Sequence, residues 1–301
     1  MSLLALGTVA LDHVKTPVGV KKDMLGGSVA HFALSARLFT KVHLVAVVGY
    51  DFPKKYLSFL KAKGIDLASL VMGTEKTFQW MGEYKKEDLN TAITIETVLG
   101  VLTRYEPKVA AHQKNLPHVF LANFDPDIQM KLLSLMNKPR LVGLDSMNLW
   151  IQHKRKSLLK LMKRVNFFVA NDAEARALSG CDNLIKAAKR LRGMGPEWIV
   201  IKKGEHGVLF YSDGFMFSYP AYPVERVVDP TGAGDTFAGG LMGYLSRVKK
   251  IDQKSLKEAV IYGTTLASFN VEGFGMEKTA RLTMAQVNKR KNELLKFISY
   301  G

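Results

Sequence analysis

Short apolar runs alternate with helix-forming stretches along most of this chain, and that alternation restricts its fold more than any other feature. Leu3–Val9, Val42–Val48, His118–Ala122, Arg140–Leu144, Phe167–Ala170 and Trp198–Ile201 read as buried strands. Helical segments fall between them, around Ser28–Phe39, Lys54–Lys63, Ile128–Met136, Leu149–Arg164, Ala173–Leu178 and Asn183–Arg192. Strands that alternate with helices build βαβ units, so the expected class is α/β: a central, mostly parallel sheet covered by helices on both faces. Ser255–Phe269 and Met284–Phe297 would complete the cover. No internal repeat, low-complexity tract or long linker interrupts the pattern, and residues 1–301 are expected to form a single domain.

Two segments depart from the alternation. Residues 13–25 carry Lys, Pro and Gly between the first strand and the first helix. Residues 77–97 hold two strand-like pieces, Thr77–Met81 and Ala92–Ile95, around the charged stretch Glu83–Asn90. These segments are expected to pair as a small β-layer standing off the main sheet, with Phe78 and Trp80 as candidates to face a ligand.

A length of 301 residues with 47% hydrophobic and 23% charged residues suits a large globular core. No apolar run approaches the ~18–20 residues of a membrane-spanning helix. No basic segment precedes the apolar Leu3–Leu6, so no signal peptide is expected, and the lone Cys181 fits a reducing, cytoplasmic setting. No spacing of His and Cys suggests a zinc site. The net charge of +16 invites a nucleic-acid reading. The basic residues are spread over helical segments, as in Lys154-Arg155-Lys156 and Lys289-Arg290-Lys291, which is the pattern of solvated faces. Specific nucleic-acid binding is therefore not expected, although the positive field would concentrate anionic substrates.

The chemistry is concentrated in Asp229-Pro230-Thr231-Gly232-Ala233-Gly234-Asp235, directly before the mostly apolar run Thr236–Leu245. Gly232 and Gly234 let a ligand approach the main chain closely. The amides of Gly232, Ala233, Gly234 and Asp235 would be unpaired donors of a helix's first turn, a natural anion site. A carboxylate there would repel a phosphate unless it had a task. The obvious task for Asp235 is to accept a proton from a hydroxyl attacking that phosphate. The sequence has no Walker-type phosphate loop, no His-Glu-x-x-His and no Gly-x-Ser-x-Gly.

The whole heptad resembles the second signature of the ribokinase family of carbohydrate and nucleoside kinases, also called the PfkB family. The resemblance implies a ribokinase-like fold with a β-sheet lid, Asp235 as catalytic base, and Gly232, Ala233 and Gly234 as the anion hole. Gly26-Gly27-Ser28-Val29-Ala30-His31 resembles the family's first signature, and Gly7–Asp12 its opening strand, which ends in a sugar-binding Asp. The expected substrate contacts are Asp12, Gly26, Gly27, His31, Asn123 and Asp145. At His31 many sugar kinases of the family carry Asn, so this chain departs from the usual ribose pattern. Asn171-Asp172-Ala173-Glu174 matches the family's Asn-x-x-Glu motif and also reads as a capping box. On the nucleotide side the resemblance implies Asn171, Glu174, Lys202, Gly204, Gly207, Ser268, Asn270 and Gly275. Glu174 would reach Mg2+ through water, and the backbone carbonyls of Asp229 and Thr231 would offer a K+ site.

The reaction implied is transfer of the ATP γ-phosphoryl group to a hydroxyl of a sugar or sugar-like molecule. A nucleoside kinase of the same fold is the first alternative. A non-catalytic nucleic-acid or nucleotide-binding protein on a kinase scaffold is the second. The acceptor and the oligomeric state stay open, a homodimer among the options.

Overall fold

The computed structural model describes residues 2–298. Thirteen strands follow in chain order: β1 (Ser2–Leu6), β2 (Ala10–Thr16), β3 (Gly19–Gly26), β4 (Lys41–Val48), β5 (Asp66–Met72), β6 (Gln79–Lys85) and β7 (Asp88–Val98), then β8 (His118–Leu121), β9 (Leu141–Asp145), β10 (Phe167–Asn171), β11 (Trp198–Lys202), β12 (Val208–Tyr211) and β13 (Met216–Tyr219). Nine of them form one sheet in the order β13-β12-β11-β10-β9-β8-β1-β4-β5. From β11 to β5 every pairing is parallel, and β12 runs antiparallel to both its neighbours, β11 and β13.

Alternate residues of each central strand go to opposite faces, and both faces are covered. Leu3 and Ala5 of β1 pack with Phe32, Phe120, Phe237 and Leu241 in one core, while Leu4 and Leu6 join Leu132, Leu158 and Leu178 in the other. Phe32 stacks on Phe120 with ring centroids 4.4 Å apart. This double burial is why the central strands read as unbroken apolar runs. Each fully buried Leu or Phe contributes about 1.5–3 kcal/mol, so the sheet is a rigid base for the loops at its edges.

Several expected boundaries shift. The first strand ends at Leu6 rather than Val9, and Asp12 lies inside β2 rather than at the end of β1. The stretch Leu149–Arg164 breaks into helices Asn148–His153 and Arg155–Met162 at Lys154, whose ψ of 27° is not helical. The edge strands β5 and β13, and β12 next to β13, have no counterpart among the predicted strands. β5 and β13 are only half covered and carry mixed polar and apolar residues.

The two irregular segments do pair as a separate layer, a four-stranded sheet ordered β3-β2-β6-β7. Strands β6 and β7 extend into the charged stretch and turn only at Lys86–Glu87. Among the described residues no helix is long and apolar enough to cross a membrane. The carboxyl ends of β8, β9, β10 and β11 share one edge of the main sheet, the place where open α/β sheets hold ligands. Asn123 follows β8, and Asp145, Asn171 and Lys202 close β9, β10 and β11.

Candidate active site

The helix Ala233–Leu245 starts from Gly232, whose φ of 74° lies in the left-handed region that glycine tolerates. Directly beneath it sits the His31 ring, 2.3 Å from where a Cβ at Gly232 would stand. Thr236 N–H donates to Gly232 O at 2.8 Å and starts the helical ladder. One expectation for the anion hole needs correction. The Ala233 amide is committed to Pro230 O at 3.2 Å, because Pro230 and Gly232 close a turn there. The amides of Gly232, Gly234 and Asp235 have no backbone acceptor among the described residues, and they remain as donors for an anion.

Asp235 is half-buried in the first helical turn, and its carboxylate finds no hydrogen-bond donor among the described residues. Burial and the neighbouring Asp145 raise its pKa well above the ordinary 3.8, against the pull of Lys202. A carboxylate so perturbed at a helix N-terminus has the character of a general base.

Lys202 Nζ donates to Asp145 Oδ2 at 3.2 Å, and it lies 2.7 Å from where a Cβ at Gly234 would stand. Burial opposes its charge, but Asp145 and Glu174 outweigh that and keep it protonated. Asp145 also accepts from the Ser146 amide at 2.8 Å. The structure thus sets Asp145 with Lys202, Glu174 and Asp235, and Asp12 acts on the same Asp235 carboxyl. Glu174 belongs to a reciprocal cap. Asn171 Oδ1 accepts from Glu174 N–H at 2.8 Å, and Glu174 Oε2 accepts from Asn171 N–H at 2.7 Å. Burial raises the Glu174 carboxyl to about 7, with Lys202 lowering and Asp145 raising it.

Asp12 is buried on β2 against the start of the helix Ser28–Ala36. A Cβ at Gly26 would lie 1.8 Å from Asp12 Oδ2, so only glycine leaves room for the carboxylate. Gly27 N–H donates to the same oxygen at 3.4 Å. Burial raises Asp12 to about 7, Gly27 lowers it, and Asp229 raises it further. Trp80 stands beside Asp12 as its β6 partner, with the indole lying across Gly82 and its Nε1–H donating to Thr94 at 3.1 Å.

The remaining expected residues make contacts inside the protein, although His31 Nε2 is buried without a partner among the described residues. His31 Nδ1 donates to Asn270 Oδ1 at 3.2 Å, and burial lowers its pKa to about 4, so it is neutral. Asn270 also accepts from Thr236 Oγ1 and donates to Thr231 O at 2.8 Å, which makes it a brace of the heptad. Ser268 Oγ donates to Thr265 O and accepts from Arg290, and Gly275 N–H donates to Asp229 Oδ2 at 2.9 Å. The Asp229 Oδ1 accepts from Thr231 N–H, fixing the turn. Asn123 Oδ1 accepts from Trp150 Nε1–H at 2.9 Å, which ties its side chain to the helix Asn148–His153. Gly204 and Gly207 turn the chain after β11 with φ of 55° and 84°.

Two lid residues went unsuspected. Tyr84, buried on β6, has its Oη at 3.2 Å from Thr231 Oγ1, which donates to it. Asn90 of β7 lies over Gly204, its Oδ1 2.1 Å from where a Cβ would stand. The tip of the β6–β7 hairpin therefore touches both the heptad and the turn after β11. Burial alternation along β6 was the available signal, but nothing local said what Tyr84 would meet.

Residues 12–281 match the pfkB family of carbohydrate kinases. The cytidine kinase of Thermococcus kodakarensis is 33% identical over 260 residues, covering 84% of this chain and 91% of the relative. A nucleoside kinase of Methanocaldococcus jannaschii is 26% identical over 288 residues, covering 91% and 92%. The crystal structure of the M. jannaschii nucleoside kinase, an archaeal member of the ribokinase family, superposes with a TM-score of 0.78 at 24% identity, over 97% of this chain and 98% of that one. Aminoimidazole riboside kinase from Salmonella enterica gives 0.75 at 20%, over 97% and 100%. With its heptad, its glycine pair and its lid in these positions, the chain belongs to the pfkB family of carbohydrate kinases, phosphotransferases that act on a hydroxyl group.

Proposed function

We propose that this protein is a nucleoside kinase that transfers the γ-phosphoryl group of ATP to a sugar hydroxyl, with Asp235 as general base. The observation that carries the reading is the pairing of Asp12 with Trp80 on adjacent strands of the lid sheet. A carboxylate that can hold sugar hydroxyls stands next to an indole face that can stack on a nucleobase. The likeness to the Thermococcus cytidine kinase supports the same substrate class. A simple sugar would leave the indole without a partner.

Asp12 and the Gly27 amide hold the acceptor so that one hydroxyl faces Asp235. Asp235 draws off its proton as the new bond to phosphorus forms. The amides of Gly232, Gly234 and Asp235 receive the charge spread over the transferring oxygens, where one such donor is typically worth about 10²–10³ in rate. Contact of Tyr84 and Asn90 with the core closes the lid and keeps water from competing. Asp145, Glu174 and Asp235 set three carboxyls against one Lys202, a surplus of hard oxygen donors that fits Mg2+, with Glu174 as its outer-shell residue. The chemistry supplied by bound Mg2+ is neutralisation of charge on the phosphate oxygens. For K+, Thr231 O already accepts from Asn270 but keeps a second lone pair, and the Asp229 carbonyl would be the second ligand. Its single cysteine fits a reducing, cytoplasmic setting.

The test is an ADP-release assay with cytidine, uridine, adenosine, inosine and ribose, run in potassium and in sodium salts. Asp235→Asn should bind ATP as the parent does and lose transfer by about 10²–10⁴. Near-parental turnover in that variant refutes the base. Turnover with ribose alone refutes the nucleoside. Salt-sensitive RNA binding with no transfer to any acceptor would favour a non-catalytic scaffold.

A further inference from the structure

At the end of the main sheet opposite the site, three side chains from three separate elements converge. His43 comes from β4, Asp66 opens β5, and His112 comes from the short turn Ala111–Gln113. His43 Nδ1 lies 3.0 Å and His112 Nε2 lies 3.7 Å from the same oxygen, Asp66 Oδ2. All three ligating atoms fall within 4.8 Å of one another. We propose that His43, Asp66 and His112 form a zinc-class metal site that clamps the sheet edge to the segment joining β7 and β8.

The distances suit such an ion. Metal–ligand bonds of about 2.0–2.1 Å in tetrahedral geometry place neighbouring ligand atoms about 3.3 Å apart, between the two separations found. The ligands are also prepared. His43 and Asp66 are register partners, and an extra residue in β5 shifts the pairing immediately after them, a bulge that aims Asp66 at the histidine. Asp66 Oδ1 accepts from Ala68 N–H at 2.9 Å and from Gln113 Nε2 at 3.4 Å, which fixes the carboxylate plane. Gln113 is itself fully buried and bonded to Ser69, so this outer shell is rigid. His112 is the exposed member and opens the site to solvent. Two imidazoles and one carboxylate leave a fourth position for water and favour Zn2+ over Mg2+.

Two features moderate the affinity. Lys41 Nζ stands 3.8 Å from Asp66 Oδ2, a cation that an incoming metal must displace. Without metal, His43 Nδ1 lies 3.0 Å from Asp66 Oδ2 and 3.3 Å from the Gln113 Nε2 donor; a metal at Nδ1 displaces those contacts and needs the neutral ring to carry its hydrogen on Nε2, which is buried without an acceptor among the described residues. A dissociation constant on the order of micromolar follows, rather than the nanomolar values of closed structural sites.

The experiment uses untagged, chelator-treated protein titrated with Zn2+ by calorimetry, and with Co2+ by visible absorption. One equivalent of Zn2+, a raised melting temperature and the intense bands of four-coordinate Co2+ are expected. Asp66→Asn and His112→Ala should abolish all three, while His112→Ala leaves phosphoryl transfer unchanged. Lys41→Gln should tighten Zn2+ binding about three- to tenfold, since it removes an exposed competing charge. Absence of stoichiometric binding, or binding that survives both Asp66→Asn and His112→Ala, would overturn the site.

Discussion

Replacing Asp12 by Asn should stabilise the ligand-free protein at alkaline pH while removing its hold on the acceptor. Asp12 is buried and accepts one long bond, 3.4 Å, from Gly27. Its carboxyl titrates near 7 instead of the ordinary 3.8, chiefly through burial, opposed by Gly27 and reinforced by Asp229. Because the folded value is raised, the favourable contribution is complete below about pH 4, where the acid is neutral in both states. It is lost as pH rises towards 7 and the folded protein must carry a buried charge. Each tenfold change in the protonation equilibrium is worth about 1.4 kcal/mol, so the full cost approaches about 4 kcal/mol above pH 7. Asparagine has the same shape, keeps an acceptor for Gly27 and never ionises. The expected stability difference between variant and parent is near zero at pH 4 and grows to at most about 4 kcal/mol at pH 8. That corresponds to at most about 8 °C in melting temperature for a domain of this size. Thermal unfolding by circular dichroism, measured on both proteins from pH 4 to 9 without ligand, reads it directly. Other titrating groups act in both proteins and cancel in the difference. A difference that does not change with pH, or a variant less stable at pH 8, would refute the reasoning. The same variant should raise the acceptor KM by about tenfold or more, since a charge-assisted pair is worth about 1.5–3 kcal/mol.

Tyr84→Phe removes the acceptor of the Thr231 hydroxyl and loosens the lid from the heptad. A bond of this kind is worth about 1 kcal/mol, so kcat should fall about fivefold with the ATP KM nearly constant, and ADP release without acceptor should rise. Unchanged coupling of ADP release to product would show that the contact is only packing. Lys202→Met takes away the one cation that lowers Asp235 and Glu174. Both pKa values then rise further, and because the base acts deprotonated, the acid limb of the pH–rate profile should move to higher pH. A limb that stays in place would mean that Lys202 does not share the field of Asp235.

The legible parts of the fold are those governed by local pattern. Val42–Val48 and Phe167–Ala170 could be recognised because strands buried on both faces must be apolar at every position. The edge strand β5 escaped because only some of its residues are covered, and its mixed composition resembles a loop. Asp12 was read at the end of β1, yet it lies in β2, since Val9 and Ala10 are as apolar as the strand before them. The heptad was legible as a glycine-rich helix entry because glycine spacing and helix starts are local geometry. The loss of the Ala233 amide to Pro230 is a turn detail that spacing does not show. Asp145, Ser268 and Asn270 were given ligand roles from position, and each also meets a partner far away in sequence, Lys202, Arg290 and Thr231, that no local window shows.

From its residues alone, then, this chain determines an α/β sheet and a glycine-rich helix entry with an acid in its first turn. These depend on backbone propensity and on periodicities of a few residues. Tertiary structure decides which charges neutralise one another, what Tyr84 touches, and that His43 and His112 share the oxygen of Asp66. Those meetings depend on strand register and lid placement across tens to hundreds of residues, and no short window of sequence carries that information.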